Sequence, residues 1–423
     1  MNSHADNQEV VITGVGVVSP IGVGHDPFWQ SLINGQSGAS VREQFADTDL
    51  PFRIAAPVTD FEPKKFVKPR KALKIMCAPI QFGCAAAAMA AEMAGIETES
   101  LEPERMGTVF GTETFFADPT EVADVFRRCT VDKDYQHDRW GEFAMREIQP
   151  LWMLKYLPNM AASHISIALD ARGPSNSICQ GEASGLLALV EAADLIQRGS
   201  ADIVVAGGTG SKMAMTAMLY RGIHLLSNRI HEPERASRPF DVDRDGMVVA
   251  EGAAALVLES AQHAAARGAN VLARLSGWSR SYLNPNSDEF SEALKGNYQS
   301  SLALAGLSAS DIDLINANAS GSKVGDKVEA QAIRNVFADT PVVAHKGNFG
   351  NIGPGTSTTE LIGSILSIAN GQIPPTLNCD SVDPDCAVNV VTEATQINNG
   401  SDFAVLKSSY SSTGQIVSVV IKA

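Results

Sequence analysis

Strand and helix patterns alternate along the chain, and this alternation limits the possible folds more than any other feature. The run Val10–Val18 is apolar and rich in β-branched residues, and a Ser-Pro-Ile-Gly turn follows it, which indicates a buried strand. The run Ala78–Ala94 consists mostly of small residues and indicates a helix that is buried on most sides. Repeated alternation of this kind predicts parallel-rich sheets with helices packed on them.

The pattern passes through two rounds, with a boundary near residue 260. The first round continues with strands at Met106–Gly111, Ser175–Gln180 and Asp202–Gly208, a helix at Gly185–Arg198, and two strands within Gly246–Glu259. The second round has strands at Val271–Ser276, Ile312–Ala317, Pro341–Ala344, Phe403–Ser408 and Ile416–Lys422, and helices at Gln299–Leu304, Lys327–Val336 and Glu360–Asn370. We therefore predict an α/β protein with an N-terminal half at 1–260 and a C-terminal half at 261–423. Residues 112–165 are more charged and irregular, and we expect them to form an insertion or cap.

The composition argues against several classes of protein. The net charge of −15 disfavours a nucleic-acid partner, because phosphate binding needs a positive surface. None of the six cysteines lies in a CxxC pair and none of the eight histidines in an HxxxH pair, so we expect free thiols, no metal and no cofactor. Long apolar runs and a signal-like N-terminus are also missing, which predicts a cytoplasmic protein without a membrane span.

Four stretches of the sequence resemble those of one protein family. They are VVITGVGVVSPIG (10–22), ADIVVAGG (201–208), SRPFDVDRDGMVVAEGAAALVLE (237–259) and GDKVEAQAI (325–333). Each stretch is weak evidence alone, but their order along the chain resembles the elongating β-ketoacyl-[acyl carrier protein] synthases of the KAS I/II type. The resemblance implies the thiolase fold, in which two similar αβαβαββ halves form five layers. Members of the family are usually dimers joined through a central sheet.

The resemblance also locates the position of the family's nucleophile. In the family a Cys stands at the start of a buried helix, in a run like TACTSG, where the helix dipole and two backbone N–H groups stabilise charge. Alignment on Ser184 and Gly185 places Glu182 at that position. A carboxylate can be stable at a helix N-terminus, but it is a poor acyl acceptor because the product would be a reactive anhydride. Cys179 lies upstream on the predicted strand, where we expect an inert core cysteine.

Both histidines of the family's catalytic triad are also replaced. Asn318 stands where a motif like NAHGTST has its His, and Asn351 stands where a motif like KSMTGH has the second. Asn can donate a hydrogen bond to a thioester carbonyl, but it cannot shuttle a proton near neutral pH. With Glu182 in place of the Cys, all three changes fall at one site. The sequence therefore predicts that the standard condensation does not occur on this chain.

Supporting residues of the family are partly retained. Lys346 and Glu329 match a lysine and a glutamate of the family, and we expect a charge pair between them that positions the loop or, alternatively, perturbs a pKa. His345 adjoins the lysine, but alternation along a strand would point it away. Ser412 stands at the Phe position of a motif like GFGGTN. It keeps the backbone amide of that position but lacks the bulky side chain that gates the site in the family. The resemblance implies an oxyanion hole from the backbone amides of Glu182 and Ser412.

A basic segment gives a candidate docking surface in this acidic chain. The run KKFVKPRKALK (64–74) is strongly positive, and Arg70, Lys71 and Lys74 match positions on which family members dock the acidic acyl carrier protein. Arg221 lies near a second such region. Charges of this kind would steer association more than fix affinity. The alternative interpretation is a solvated helix face without a partner.

Three hypotheses for the function remain open. The first is a non-condensing subunit, like the chain-length factors that pair with an active ketosynthase in fatty-acid or polyketide synthesis. The second is a malonyl-[acyl carrier protein] decarboxylase, in which Asn318 and Asn351 hold the thioester carbonyl. The third is a divergent acyltransferase or hydrolase that uses Glu182 as a general base. Acyl carrier protein is the expected partner in each case, and the protein would form a homodimer or a heterodimer with an active ketosynthase.

Overall fold

Two sets of five strands form the framework of the protein. The structure is a computed structural model that describes residues 8–43, 53–97, 101–114, 117–214, 217–218, 222–397 and 402–423. The strands of the first half are β1 (Val10–Ser19), β2 (Met106–Gly111), β3 (Ser175–Ile178), β4 (Ile203–Ser211) and β5 (Val249–Ser260). Those of the second half are β6 (Ala273–Tyr282), β7 (Leu314–Asn316), β8 (Val342–Val343), β9 (Ala404–Tyr410) and β10 (Gln415–Lys422).

The two halves repeat one strand order. The first half runs β1-β5-β4-β2-β3 across its sheet, and the second runs β6-β10-β9-β7-β8. In each half the first two neighbouring pairs are antiparallel and the last two are parallel. The halves meet where β1 pairs with β6 in antiparallel register, from Val10 opposite Leu275 to Ile12 opposite Ala273. This repetition agrees with the duplicated α/β fold that the sequence predicts.

Six helices complete a five-layer arrangement. They are α1 (Ala78–Met93), α2 (Met160–Leu169), α3 (Ser184–Gln197), α4 (Phe290–Ala305), α5 (Lys323–Phe337) and α6 (Thr356–Asn370). Helices α1 and α2 cover the outer face of the first sheet, while α4 packs on the second sheet with α5 beside it. Helices α3 and α6 contact each other and strands of both halves, so they form the central layer.

Shorter elements decorate this framework. Further helices are His25–Ile33, Pro63–Phe66, Ala123–Cys129, Trp140–Glu147, Ala261–Ala266 and Lys346–Phe349. Further strands are Gly22–Val23, Ser40–Val41, Ile54–Ala56, Thr130–Val131, Asp134–Tyr135, Gln372–Ile373 and Thr395–Gln396. No helix in the described parts of the chain has the length and apolar character that a bilayer crossing requires.

The central layer brings the N-termini of α3 and α6 together in the core. Every residue of α6 from Thr356 to Ser367 is buried. Gly185, in the first turn of α3, allows the close contact, because a Cβ there would overlap Thr358 Oγ1 and Pro354 O. The residues that precede α3 and α6 therefore lie near each other inside the protein.

Two expectations about the elements need correction. The run Gly246–Glu259 does not form two strands, because β5 pairs continuously with β1 on one side and with β4 on the other. The helix α2 overlaps the end of the segment expected to be a cap, yet Ala161, Ala162 and Ile165 are buried against the outer face of the first sheet. The exposed insertion therefore ends before Met160, earlier than the expected boundary near 165.

A buried carboxylate at the end of β5 gives a testable contribution to stability. Arg267 Nε and His263 Nδ1 each lie 2.7 Å from Glu259 Oε2, and Thr13 donates to Oε1. Burial raises the pKa of Glu259, but these hydrogen bonds more than offset it and hold the pKa at about 2. The folded pKa lies below the ordinary value of 4.5, so the stabilisation is present above that pH and is lost as the pH falls toward 2.

We expect Glu259→Gln to destabilise the protein by about 3 kcal/mol at pH 7, the free energy that a shift of this size represents. Urea unfolding at pH 7 and at progressively lower pH would measure the effect. The difference between the variant and the unaltered protein should shrink as the pH falls below 4.5. A difference that stays constant through the acid range would contradict this account.

Candidate active site

Glu182 lies in a tight turn that leads directly into the buried helix α3. The turn spans Gly181–Ala183, and Gly181 adopts a positive φ of 59°. Ser184 Oγ fixes the turn by donating to Gly181 O at 2.7 Å and accepting from the Gln180 N–H at 2.8 Å. The side chain of Glu182 thus stands before a helix N-terminus, as the sequence predicts.

The carboxylate of Glu182 is held by two neighbours. Lys212, just beyond the end of β4, forms an ion pair with Glu182 Oε1. Asn351 Nδ2 lies 3.5 Å from the same oxygen. The side chains of Lys212 and Glu182 are only 3% and 12% exposed, so the pair is largely shielded from water. A shielded, paired carboxylate is stable in place, because breaking such a pair leaves a buried charge without compensation.

A second carboxylate lies beside this pair. Glu113 is buried, and its Oε1 lies 3.2 Å from the point where a Cβ on Gly353 would stand. Lys212 Cε lies at the same distance from that point. Lys212 is therefore close to two carboxylates, and the glycine provides the space that the charged groups occupy.

Asn351 is oriented by its own hydrogen bonds. Its Oδ1 accepts from the Gly353 N–H at 2.9 Å and from Thr356 Oγ1 at 3.2 Å. The amide nitrogen therefore points the other way, toward Glu182 and toward Met247 Sδ at 3.4 Å. Asn351 presents a donor to the site and has no group that can act as a base near neutral pH.

Asn318 lies in a loop whose backbone is hydrogen-bonded to a buried glutamate, Glu329. The N–H groups of Asn318 and Ala319 each donate to a carboxylate oxygen of Glu329 at 2.8 Å, and Ser408 Oγ donates to the same carboxylate at 3.0 Å. Burial raises the pKa of Glu329, while these N–H groups and nearby lysines favour its charged form. Asn318 Oδ1 faces Lys346 Nζ at 3.3 Å and Ser409 Oγ at 3.5 Å.

The expected charge pair between Lys346 and Glu329 is wrong. Lys346 Nζ instead lies 2.8 Å from Glu360 Oε1 and also donates to Asn318 O. Glu360 Oε2 is paired with a second lysine, Lys407, at 2.7 Å. Glu329 is already occupied by backbone N–H groups, which explains why the lysine turns to a residue on the central helix α6.

This Lys346–Glu360–Lys407 triad is fully enclosed. All three side chains are at most 1% exposed. Burial lowers the pKa of Lys407 to about 8, although Glu360 opposes that shift by favouring the charged lysine. Lys407 Nζ also donates to Ala317 O at 3.0 Å. The triad supports the Asn318 loop from inside the protein and does not line the cavity.

His345 differs from its expected place on a strand. The residue follows β8 with helical backbone angles and is fully buried. Neither ring nitrogen has a hydrogen-bond partner among the residues that the structure describes. Burial lowers its pKa to about 4, so the ring is neutral at neutral pH. His345 does not line the cavities around Glu182, and no substitute acid–base role follows from its position.

The predicted site residues come together around two adjoining cavities. Glu182, Asn318, Asn351 and Ser412 all line the first, which has a volume of about 330 Å³. The second has a volume of about 410 Å³ and extends past Glu182 toward Lys212. Glu182 and Ser412 border both, so they stand at the junction. Within the described ranges, no group of three or more His, Cys, Asp or Glu side chains is placed to hold a metal ion.

Cys179 is not the core residue that the sequence suggests. The residue is exposed in this chain and lines the second cavity, with its Sγ 3.4 Å from Thr112 Oγ1. The strand β3 ends at Ile178, so the residue already belongs to the turn that leads to Glu182. A prediction of burial from residue type alone fails here because the cavity opens at this turn.

The basic positions that the sequence singles out lie on the surface. Arg70, Lys71 and Lys74 are exposed on a short 3₁₀ turn, Arg70–Ile75. Arg221 lies outside the described residues. The exposure of these cations is compatible with a docking surface for a partner protein and equally with a solvated face without a partner.

Four charged residues in or behind the site were missed by sequence reasoning, namely Glu113, Lys212, Glu360 and Lys407. Glu360 begins the run predicted to be an apolar helix, and Lys407 lies within the run predicted to be a strand. A charged residue in such a run is itself a signal of a buried charge pair. Lys212 follows the predicted strand Asp202–Gly208 and carries no comparable signal.

Comparison with known proteins agrees with this architecture. The model of the β-ketoacyl synthase N-terminal domain matches residues 7–264, and that of the C-terminal domain matches residues 273–380. The 3-oxoacyl-[acyl-carrier-protein] synthase 2 of Coxiella burnetii is 33% identical over 396 residues, which cover 91% of this chain and 92% of that protein.

Solved structures agree over the full length. The ishigamide ketosynthase/chain length factor has a TM-score of 0.85 at 27% identity and covers 99% of both chains. The structure described as AntDE:AntF, a type II PKS acyl-carrier protein in complex with its ketosynthase, has a TM-score of 0.85 at 26% identity and covers 99% of this chain and 100% of that one. The chain therefore belongs to the β-ketoacyl synthase family of fatty-acid and polyketide biosynthesis.

Proposed function

We propose that this chain is a non-condensing subunit of the chain-length-factor type, which pairs with an active ketosynthase in fatty-acid or polyketide synthesis. One observation carries the proposal. The side chain at the nucleophile position, Glu182, is a carboxylate engaged by Lys212 and Asn351, and it offers no thiol for an acyl group. Asn318 and Asn351 replace both proton-transferring histidines, so the fold is retained while the chemistry of condensation is lost.

The edge of the first sheet supports a paired assembly. Strand β3 ends the sheet order of the first half, and its Ser175 and Asn176 are exposed. An edge strand presents unpaired backbone groups, and a second chain of the same fold can continue the sheet there. We propose that a sister ketosynthase occupies this edge, and that acyl carrier protein serves the resulting heterodimer.

The test is native purification from the source cells, followed by mass spectrometry of the proteins that accompany this chain. We expect a stoichiometric ketosynthase whose own sequence carries the Cys and both histidines. Recovery of the chain as a homodimer, alone or with only a carrier protein, would contradict the proposal and shift attention to independent chemistry at Glu182.

One observation favours a second candidate, a malonyl-[acyl carrier protein] decarboxylase. An unpaired carboxylate at position 182 would repel the carboxylate of a malonyl group, but Lys212 offsets this charge. Asn351 lines the first cavity, and its Nδ2, 3.5 Å from Glu182 Oε1, is a donor for a thioester carbonyl bound there. Release of carbon dioxide from malonyl-carrier protein, abolished by Asn351→Leu, would establish this candidate. The third hypothesis, a hydrolase with Glu182 as general base, gains nothing from the geometry, since Lys212 already occupies that carboxylate.

A further inference from the structure

The outer edge of the second sheet is formed by a short segment, 388–391, that lies beyond the last strand. Strand β8 holds the place in the second half that β3 holds in the first. Beyond β8, Val390 stands opposite Val342 in parallel register. The Val342 N–H donates to Asn389 O at 2.8 Å, and the Val391 N–H donates to Val342 O at 2.9 Å. The segment therefore extends the sheet and becomes its new edge.

This edge leaves backbone groups available to another chain. Thr392 and Ala394 are exposed, and their N–H groups form no hydrogen bond with any part of the chain that the structure describes. Native sheet edges are often protected by lysine or proline, but the run 386–397 contains no lysine, arginine or proline. An unprotected edge of this kind is a template on which an extended strand from a partner can pair.

Two cavities lie in succession along the same edge. One has a volume of about 480 Å³ and includes Val382 and Asn389 in its walls. The other has a volume of about 330 Å³ and includes Asn389, Val391 and Ile373. Neither shares a lining residue with the cavities around Glu182. Adjacent cavities along an edge can receive successive side chains of one extended segment, because such side chains alternate at a fixed spacing.

The charge around these edge cavities is acidic. Asp339 and Asp383 line the first of them, and Glu393 lines the second. Arg244 pairs with Asp383 at 2.6 Å, whereas Asp339 and Glu393 form no ion pair with any described residue. The run 382–397 contains three acidic residues and no lysine, arginine or histidine. Electrostatic complementarity therefore favours a basic partner at this edge.

We propose that this edge is a docking site for an extended, basic segment of a partner polypeptide, which adds a strand beside 388–391. Its backbone would bond to the free edge groups, its apolar side chains would enter the two edge cavities, and its lysine or arginine side chains would meet Asp339 and Glu393. The inference is independent of the proposed function. The sister ketosynthase is expected at β3, at the other end of the strand order, so both partners can bind at once.

Fluorescence anisotropy of the full-length protein with three labelled peptides tests the inference. The probe is a short peptide of alternating lysine and valine. A second peptide has the same side chains but is N-methylated at two successive central residues, which removes a donor from each edge of the strand. A third has glutamate in place of every lysine. We expect the probe to bind more tightly than either of the others, by about tenfold or more.

Two variants separate backbone recognition from charge. Thr392→Pro removes an N–H from the edge without changing the charge, and we expect binding of the probe to weaken by about tenfold while its salt dependence stays the same. Glu393→Gln keeps the edge but removes a charge, and we expect weaker binding with a reduced salt dependence. Glu292→Gln, at an exposed position on α4, is the matched control and should bind the probe as the unaltered protein does.

The outcomes distinguish strand addition from simple attraction between opposite charges. Weaker binding of the N-methylated peptide, together with weaker binding by Thr392→Pro, supports the proposal. If Thr392→Pro fails to fold, the N-methylated peptide gives the same test on the unaltered protein. Equal binding of the probe and its N-methylated form, or unchanged binding by a folded Thr392→Pro, would overturn the proposal. Failure of the probe to bind, or equally tight binding of the glutamate peptide, would overturn it as well.

Discussion

Replacing Glu360 with glutamine is expected to destabilise the protein by about 3–5 kcal/mol, the cost of leaving buried charges without their partner. Glu360 is fully buried and lies between Lys346 and Lys407, at 2.8 and 2.7 Å from their Nζ atoms. Removing its charge leaves two buried cations with no paired carboxylate. The effect should be much larger than that of a surface substitution, because water cannot replace the missing partner.

Guanidinium-induced unfolding of two separate variants, Glu360→Gln and Glu292→Gln, gives a matched comparison. Glu292 is 60% exposed and, among the described residues, its ion pair is with the neighbouring Lys295 at 2.9 Å, so its loss should cost about 0.5 kcal/mol or less. The same chemical change is thus made once in the core and once on the surface. Equal unfolding midpoints for the two variants would show that the buried triad is not a structural support of the Asn318 loop.

Much of the framework was predictable because its elements carry strong local patterns. The apolar run at Val10–Val18 and the alanine-rich run at Ala78–Ala94 correspond to β1 and α1. Helix α2 was not separated from the insertion before it, since its burial depends on packing against α1 and not on a pattern of its own. The run that contains strand β5 was read as two strands packed through glycine, although the strands on both sides pair with β5 as one strand.

The site could be located from sequence but its contacts could not. Glu182, Asn318 and Asn351 were singled out by the motifs that flank them, and all three line one cavity. The pairing of Glu182 with Lys212 joins a turn to the end of a distant strand, and no periodic signal encodes such a contact. The choice of Glu360 over Glu329 as partner of Lys346 was likewise decided by which carboxylate the backbone had already occupied.

We expect that no acyl group becomes covalently attached to this chain when it is given an acyl donor. Transfer to Glu182 would require its carboxylate to leave Lys212 and form an anhydride with release of the donor's thiolate, and the amide of Asn351 cannot give that thiolate a proton. Cys179 is exposed at the edge of the cavity, but it stands in the turn before α3 and not at the helix N-terminus that stabilises an acyl-enzyme oxyanion. We therefore expect no detectable acylation at any residue of the site.

A matched pair of variants shows that the assay can detect attachment. Cys179→Ser removes the exposed thiol near the site, and the further change Glu182→Cys introduces a thiol at the nucleophile position. Lys212 and the start of α3 would then favour the thiolate, the reactive form. We expect Glu182→Cys in this background to gain a single adduct with a cerulenin-like epoxide, while Cys179→Ser alone gains none.

The most direct measurement is the intact mass of the unaltered protein after incubation with acyl-carrier protein or with a cerulenin-like epoxide, followed by peptide mapping of any adduct. The account predicts an unchanged mass under conditions in which Glu182→Cys is modified. An adduct mapped to Glu182, to Cys179 or to any other residue of the two cavities would contradict it.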